Sequence, residues 1–317
     1  MAIFKIALSS DTGTHPQLMI VPLILAVRPK QWTKNLLLFA GVVFSGHIRE
    51  WPRVLDAFWA FLIFCGLSGT VYLVNDLKDA ENDRGHPLKR NRPIASGKLP
   101  VPAAIWAAVL MGAASILAGF LLNRDFGVLA LIYLLVMIAY SIVLKHLVIL
   151  DLLIVAMGFV ARAVAGVWAI QNPGEPPIRI TSWFITCILF LALFIVLCKR
   201  RHELILLSHA ARQHRPVLEH YSPVFLDQMV NVATTATVMS YALYVTTGIQ
   251  EKQKEAMIYT LPFVLYGVFR YLYLVYKRDE GGAPETLLFK DVPLLICVLL
   301  WSISVVLIWN FGQAGIG

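Results

Sequence analysis

The chain has 317 residues, 58% of them hydrophobic and only 15% charged, with 27 Lys and Arg against 19 Asp and Glu for a net charge of +8. That balance excludes an ordinary soluble domain, and repeated apolar runs near the length needed to cross a bilayer make it a polytopic helical membrane protein. Short alternating strands, which a transmembrane barrel needs, are not visible, and nothing in the charge pattern forms a nucleic-acid module.

The N-terminal stretch Met1–Gly13 lacks a long apolar core followed by a small-residue cleavage site, so it does not read as a removable signal. Nine spans are expected, at about 18–46, 54–74, 102–122, 126–144, 148–170, 182–198, 229–248, 257–276 and 292–311, with no soluble stretch long enough for another domain. The whole of 1–317 is therefore expected to be a single transmembrane domain, all-α, with large loops at about 75–101 and 199–228. The first span is interrupted by Arg28, Pro29, Lys30 and Lys34, and reads as an interfacial lead-in followed by a short or tilted span beginning near Trp32.

The second span runs into Asn75–Gly97, NDLKDAENDRGHPLKRNRPIASG. If the helix continues, Asn75, Asp76, Asp79 and Asp83 fall within an arc of roughly 100°. Three carboxylates and an amide on one face are costly unless a cation gathers them. Oxygen ligation with open positions suits Mg²⁺, which keeps waters and bridges to substrate phosphates. Lys89, Arg90, Arg92 and Lys98 follow and can neutralise such phosphates. The alternative is a solvated loop that merely carries charge.

Between the fourth and fifth spans lie Tyr140, Ser141, Lys145 and Asp151, with Arg162 eleven residues further on and nearly on the face of Asp151. Charges inside a span point into a polar cavity or pair with one another. Arg162 is too far along the helix to reach Asp151 directly, so it needs another partner or a bound anion; a structural interhelical ion pair is the other reading. The sixth span ends in Lys199, Arg200, Arg201, His202 and Glu203. Basic residues at the inner end of a span are expected anchors, and Glu203 four residues after Lys199 adds a helix-face pair. The equivalent position of this cluster and the first loop, each after an even-numbered span, favours a shared function. Arg270 lies in the eighth span, where it either snorkels or lines the cavity.

Cys65, Cys187, Cys198 and Cys297 are scattered through the spans with no metal-ligand spacing and read as packing residues. The eight histidines form no paired motif; His86 and His202 stand out only for sitting in charged segments, and neither reads as a zinc ligand. Nineteen of the 27 basic residues fall on the side of the N-terminus when nine spans are drawn. This places the N-terminus and both large loops in the cytoplasm of a plasma (inner) membrane protein. The basic charge is thus local, and suits anionic lipid headgroups and phosphorylated substrates.

The first loop resembles the aspartate-rich motif of the UbiA superfamily of intramembrane prenyltransferases, an Asn-Asp-x-x-Asp-x-x-x-Asp pattern followed by Arg-Pro and a small residue with Gly. The resemblance implies nine helices around a central cavity open to the membrane and the cytoplasm. Within the superfamily, Arg28–Asn35 (Arg-Pro-Lys-Gln-Trp-x-Lys-Asn), His86–Arg90 and Tyr140–Gly166 look like the decaprenyl-phosphate phosphoribosyltransferase branch. Where ordinary members show a second motif resembling Lys-Asp-x-x-Asp, this chain has Lys199 to Glu203, with Arg200 in place of the first aspartate. An Arg substitutes a fixed cation able to grip phosphate in a fork for a metal ligand.

The resemblance implies Mg²⁺-dependent transfer of a phosphoribosyl group from 5-phosphoribosyl diphosphate to a polyprenyl monophosphate, for an envelope pentose donor. Asn75, Asp79 and Asp83 would hold the metal, with Asp76, Asp79 and Asp83 forming the catalytic carboxylates. Lys34, Lys89, Arg90, Tyr140, Lys145, Asp151, Arg162, Lys199, Arg200 and Glu203 would contact substrate. Two alternatives stay open: prenyl transfer from a prenyl diphosphate to an aromatic acceptor, and a transporter or lipid-binding protein. The sequence also leaves open a homo-oligomer.

Overall fold

The computed structural model describes residues 16–85, 89–178, 180–206, 216–247 and 256–311. His86, the signal-peptide question at the N-terminus, and the basic residues Lys5, Arg179, Arg212, Arg215, Lys252 and Lys254 used for orientation lie outside them. The described residues contain helices and turns and no strand. Seven helices are long and apolar enough to cross a membrane, which makes this a multi-pass membrane protein.

Nine spans were expected, and two of them do not meet that standard. The first breaks at Arg28, whose φ of 53° turns the chain out of helical conformation before Pro29. It becomes α1 (Pro16–Ala26), a 3₁₀ segment (Pro29–Phe39) and the short α2 (Ala40–Phe44). The other, α9 (Pro223–Thr247), is 25 residues long, but Asp227, Gln228, Asn231 and a series of Thr and Ser side chains dilute its apolar character.

The chain divides into two compact units. The first, residues 1–35 and 59–144, holds α1, most of α3 (Trp51–Lys78), α4 (Ala80–Arg84), α5 (Val101–Leu122) and α6 (Arg124–Ile142). Asn123 caps α6, its side chain accepting from the backbone N–H groups of Asp125 and Phe126 at 2.8 and 3.3 Å. Small residues at Ala104, Ala108, Gly112, Ser115 and Gly119 make the buried stripe of α5, the composition that lets helices approach closely where hydrophobicity cannot drive association. Large side chains on the same helix, Leu110 and Leu121 among them, stay exposed and form the lipid-facing side. Phe64 on α3 packs against Phe126 and Tyr133 of α6. Asn35, fully buried, donates to Cys65 Sγ at 3.5 Å and accepts from Ser68 at 3.4 Å, which fixes the start of the chain to the middle of α3.

The second unit, residues 36–58 and 145–317, contains α2, α7 (Leu150–Ala169), α8 (Ser182–Leu206), α9, α10 (Leu261–Lys277), α11 (Pro284–Lys290) and α12 (Val292–Phe311). Its core gathers Leu152, Phe194, Leu197, Leu226, Tyr271 and Leu274. Hydroxyls along these helices turn back onto carbonyls one turn earlier, as Thr234 does to Val230 and Thr237 to Ala233, each at 2.7 Å. This satisfies polar groups where no water is available. The 3₁₀ segment and α2 meet α7 closely: a Cβ on Gly166 would overlap the Leu38 carbonyl, and one on Gly41 of α2 would strike the Gly166 backbone. A cavity of about 660 Å³ lies in the same unit, lined in part by Phe44, His47, Arg53, Glu175, Phe184 and Trp309.

Candidate active site

In the first unit the apolar run of α3 carries the chain to Asn75, and helical bonding continues through the motif. Asp79 N–H bonds the Asn75 carbonyl at 2.9 Å and Asp83 N–H the Asp79 carbonyl at 2.8 Å. Asp79 itself, at φ −94° and ψ 3°, separates α3 from α4. Asn75, Asp79 and Asp83 therefore follow one another at one-turn spacing, as the sequence predicts.

The carboxylates do not share one environment. Asp76 and Asp83 are buried, while Asn75 and Asp79 are partly accessible. Arg28 Nη2 bonds Asp76 Oδ1 at 2.5 Å, and Arg92 Nη1 reaches Asp76 Oδ1 at 3.2 Å and Asp83 Oδ2 at 2.6 Å. Arg28 also lies over the Tyr72 ring at 4.9 Å. Asp76 Oδ2 is buried without a hydrogen-bond partner among the described residues. Burial pushes the Asp83 carboxyl above its ordinary value, while Arg92 and Lys89 pull the other way. Lys89 and Arg90 form a short 3₁₀ turn just before Arg92.

No three His, Cys, Asp or Glu side chains among the described residues form a ready-made metal cage. The donors that Mg²⁺ asks of a protein are fewer, one or two carboxylates with the rest from water and substrate phosphate. Asn75, Asp79 and Asp83 meet that requirement, and the unpartnered Asp76 oxygen leaves an acceptor beside them. Sequence reasoning did not foresee the two arginines that clamp Asp76. Arg92 was read as a phosphate ligand, and Arg28 as a break in the first span and part of a motif.

In the second unit the long-range partner of Asp151 is Arg200. Its Nη2 lies 3.0 Å from Asp151 Oδ2, and its Nη1 donates to Glu203 Oε2 at 2.8 Å. Asp151 and Arg200 are buried, and Glu203 is partly accessible. Glu203 thus bonds the residue three positions before it, a pairing that the helix-face reading with Lys199 did not anticipate. Tyr221 donates to Asp151 Oδ1 at 2.7 Å and was missed altogether, because it follows a polar stretch with no motif of its own. Arg162 donates to the Gly158 carbonyl at 2.7 Å and lies over the Phe159 ring. Arg201 bonds Asp227 at 2.5 Å and stacks over Tyr276 at 4.1 Å, an anchor between α8, α9 and α10. Arg270 forms a two-point bond with Asp291 at 3.1 and 2.8 Å.

The remaining candidates sit where each unit ends toward its charged loops. Lys34 lies in the 3₁₀ segment and Tyr140 near the end of α6, both partly accessible. Lys145 occupies a three-residue 3₁₀ turn before α7, and Lys199 the last third of α8. The first unit brings together Arg28, Asp76, Asp83 and Arg92, with Asn75 and Asp79 at one-turn spacing along the same run; the second brings together Asp151, Arg200, Glu203 and Tyr221.

A profile described as "UbiA prenyltransferase family" matches residues 36–290. The chain is 35% identical over 291 residues to the decaprenyl-phosphate phosphoribosyltransferase of Corynebacterium glutamicum, covering 90% of this chain and 86% of that one. It is 32% identical over 305 residues to the protein of the same name from Mycobacterium tuberculosis, covering 94% and 98%. Among solved structures, a UbiA homolog from Archaeoglobus fulgidus bound to GPP and Mg²⁺ superimposes with a TM-score of 0.70 at 18% identity, covering 91% of this chain and 99% of that one. At that identity the likeness is one of fold. The chain belongs to the UbiA prenyltransferase family and is a membrane-embedded transferase.

Proposed function

We propose that this protein transfers the 5-phosphoribosyl group of 5-phosphoribosyl diphosphate to a polyprenyl, decaprenyl-like monophosphate and releases diphosphate. The observation that carries the reading is Arg200, held by Asp151 and Glu203, at the position where the second motif of the family that this stretch resembles has an aspartate. A buried, doubly paired guanidinium is not a metal ligand. This argues against a second Mg²⁺ there, and the donor left for a phosphate is its buried Nε, which has no hydrogen-bond partner among the described residues. Identities of 32–35% with decaprenyl-phosphate phosphoribosyltransferases, over nine-tenths of the chain, support the same reading.

Bound at Asn75, Asp79 and Asp83, Mg²⁺ would neutralise charge on the departing diphosphate. The anomeric C–O bond to diphosphate breaks with its electron pair leaving on diphosphate, and a new C–O bond forms to an oxygen of the lipid phosphate. That oxygen is already ionised near neutral pH, so the chain needs no strong general base. Its work is positioning and charge stabilisation. Lys34, Lys89 and Arg90 in the first unit, and Lys145, Arg162, Lys199 and Arg200 in the second, are the candidates for substrate phosphates, with Tyr140 a further substrate contact. Asp76 orients Arg28 and Arg92, while Asp151 and Glu203 orient Arg200. The acceptor's tail stays in the bilayer of the plasma membrane, with the charged loops and the N-terminus on the cytoplasmic side.

Binding of labelled 5-phosphoribosyl diphosphate to the wild type and to Arg200→Asp tests the donor side. Donor binding should fall while lipid-phosphate binding persists. Unchanged donor binding contradicts the assignment of Arg200.

A further inference from the structure

Two buried carboxylates, Asp76 and Asp83, are bridged by a single nitrogen, Arg92 Nη1, at 3.2 and 2.6 Å. Asp76 is 1% exposed, and its second oxygen points nowhere a described residue can satisfy. A guanidinium that bonds two acids through one nitrogen does not use its planar fork, the geometry in which Arg binds a carboxylate best. Arg92 stands in the arrangement of a counter-cation between two ligands.

We propose that Arg92 is a surrogate cation: it holds the carboxylates of the first motif together until metal arrives, and then yields Asp83 to the metal and turns its fork to the donor's diphosphate. The inference rests on the metal-site reading above and adds an order of events to it.

Charge counting supplies the reason. Asp76 and Asp83 carry two negative charges, and Arg28 and Arg92, which pair with them, carry two positive ones. The cluster is balanced without metal. A divalent cation entering alone leaves it two charges in excess, in a partly buried site where such an excess is poorly screened. A diphosphate entering with the metal removes that excess and gives the released Arg92 a bidentate partner. Arg28, bonded at 2.5 Å to the same Asp76 oxygen that Arg92 reaches, keeps Asp76 in place during the exchange. Metal and diphosphate should therefore bind with positive coupling, and Arg92 should be the residue that enforces it.

The test is metal binding by the full-length protein in nanodiscs. Bound Mn²⁺ is measured by equilibrium dialysis at free Mn²⁺ set by a metal buffer, with and without inorganic diphosphate. The wild type should hold Mn²⁺ about tenfold more tightly when diphosphate is present, within the usual range of coupling between two ligands. Arg92→Gln should bind Mn²⁺ alone more tightly than the wild type and lose most of the coupling. Arg92→Lys, which keeps a charge without the fork, should fall between them. If Arg92→Gln does not purify as a folded protein, the wild type and Arg92→Lys carry the comparison.

Metal-only affinity that is unchanged or weaker in the Arg92 variants overturns the surrogate role, as does wild-type binding with no response to diphosphate. Asp83→Asn separates this from the underlying reading. Mn²⁺ binding intact in Asp83→Asn refutes the metal site itself. Its loss there, beside an Arg92→Gln whose affinity for Mn²⁺ alone is no higher than the wild type's, refutes only the exchange.

Discussion

Tyr221 donates a 2.7 Å hydrogen bond to Asp151 Oδ1, and the same hydroxyl accepts one of 2.7 Å from the backbone N–H of Ile149. Ile149 has φ 69° and ψ −45° immediately before α7, a conformation that a β-branched residue rarely adopts. Such a backbone persists only where surrounding contacts over-determine it. Tyr221 supplies one of them, and through Asp151 it connects the strained turn to Arg200. Burial and the bond to Asp151 push the Tyr221 hydroxyl above its ordinary pKa, which keeps it a donor.

Tyr221→Phe should leave the Ile149 N–H and Asp151 Oδ1 each short of a partner without opening a cavity. A buried polar group left unsatisfied costs about 1–3 kcal/mol, so the variant should melt at a lower temperature in detergent and turn over more slowly. Thermal unfolding together with steady-state rates checks this. A variant that matches the wild type in both would show that the hydroxyl does not position Asp151.

Gly166→Ala places a methyl group where the Leu38 carbonyl now sits. Because the obstacle is backbone, it cannot rotate away, and the penalty should reach or exceed the roughly 1–3 kcal/mol typical of overpacking. Size-exclusion profiles and melting curves should show a destabilised protein. An unperturbed Gly166→Ala would mean that α7 and the 3₁₀ segment are not in close contact.

Asp291 provides a pH-dependent contribution. The hydrogen bonds from Arg270, aided by the Leu294 N–H at 2.9 Å, hold its carboxyl below the ordinary 3.8 despite burial. A folded pKa below the unfolded one gives stability that is fully present above the unfolded value and is lost as pH falls through the folded value. Asp291→Asn should therefore lower the melting temperature at about pH 7, and the gap from the wild type should narrow toward about pH 3. A gap independent of pH would show that the ion pair contributes nothing.

Much of this was legible in the chain itself. Apolar runs of sufficient length located seven spans, and the one-turn spacing of Asn75, Asp79 and Asp83 was legible too. Arg28 and Pro29 marked the break in the first span, although how far the break would shorten its helices depended on the 3₁₀ geometry that follows. Pairings across the chain were not legible. Nothing local to Arg28 points forty-eight residues ahead to Asp76, and nothing near Tyr221 points seventy residues back to Asp151. Periodicity reports the face on which a side chain lies, whereas tertiary packing chooses its partner. For the same reason Arg270 was given a lipid or cavity role, when the fold had a buried acid waiting beyond the end of its helix.

Asp79→Asn and Asp83→Asn should each abolish turnover while leaving a folded, membrane-inserted protein, because each removes one charged oxygen donor from the metal site. For Asp83 the change also releases Arg92 from one of its two partners, so the melting temperature should fall more than for Asp79. Turnover at the wild-type rate in either variant would contradict the site.

The central claim is the identity of the group transferred. Purified protein in nanodiscs with Mg²⁺, 5-phosphoribosyl diphosphate labelled in the ribose, and a polyprenyl monophosphate should move label into an organic-extractable lipid, and EDTA should stop it. Absence of label in the lipid, with consumption of a prenyl diphosphate in the presence of an aromatic acceptor, would contradict the account.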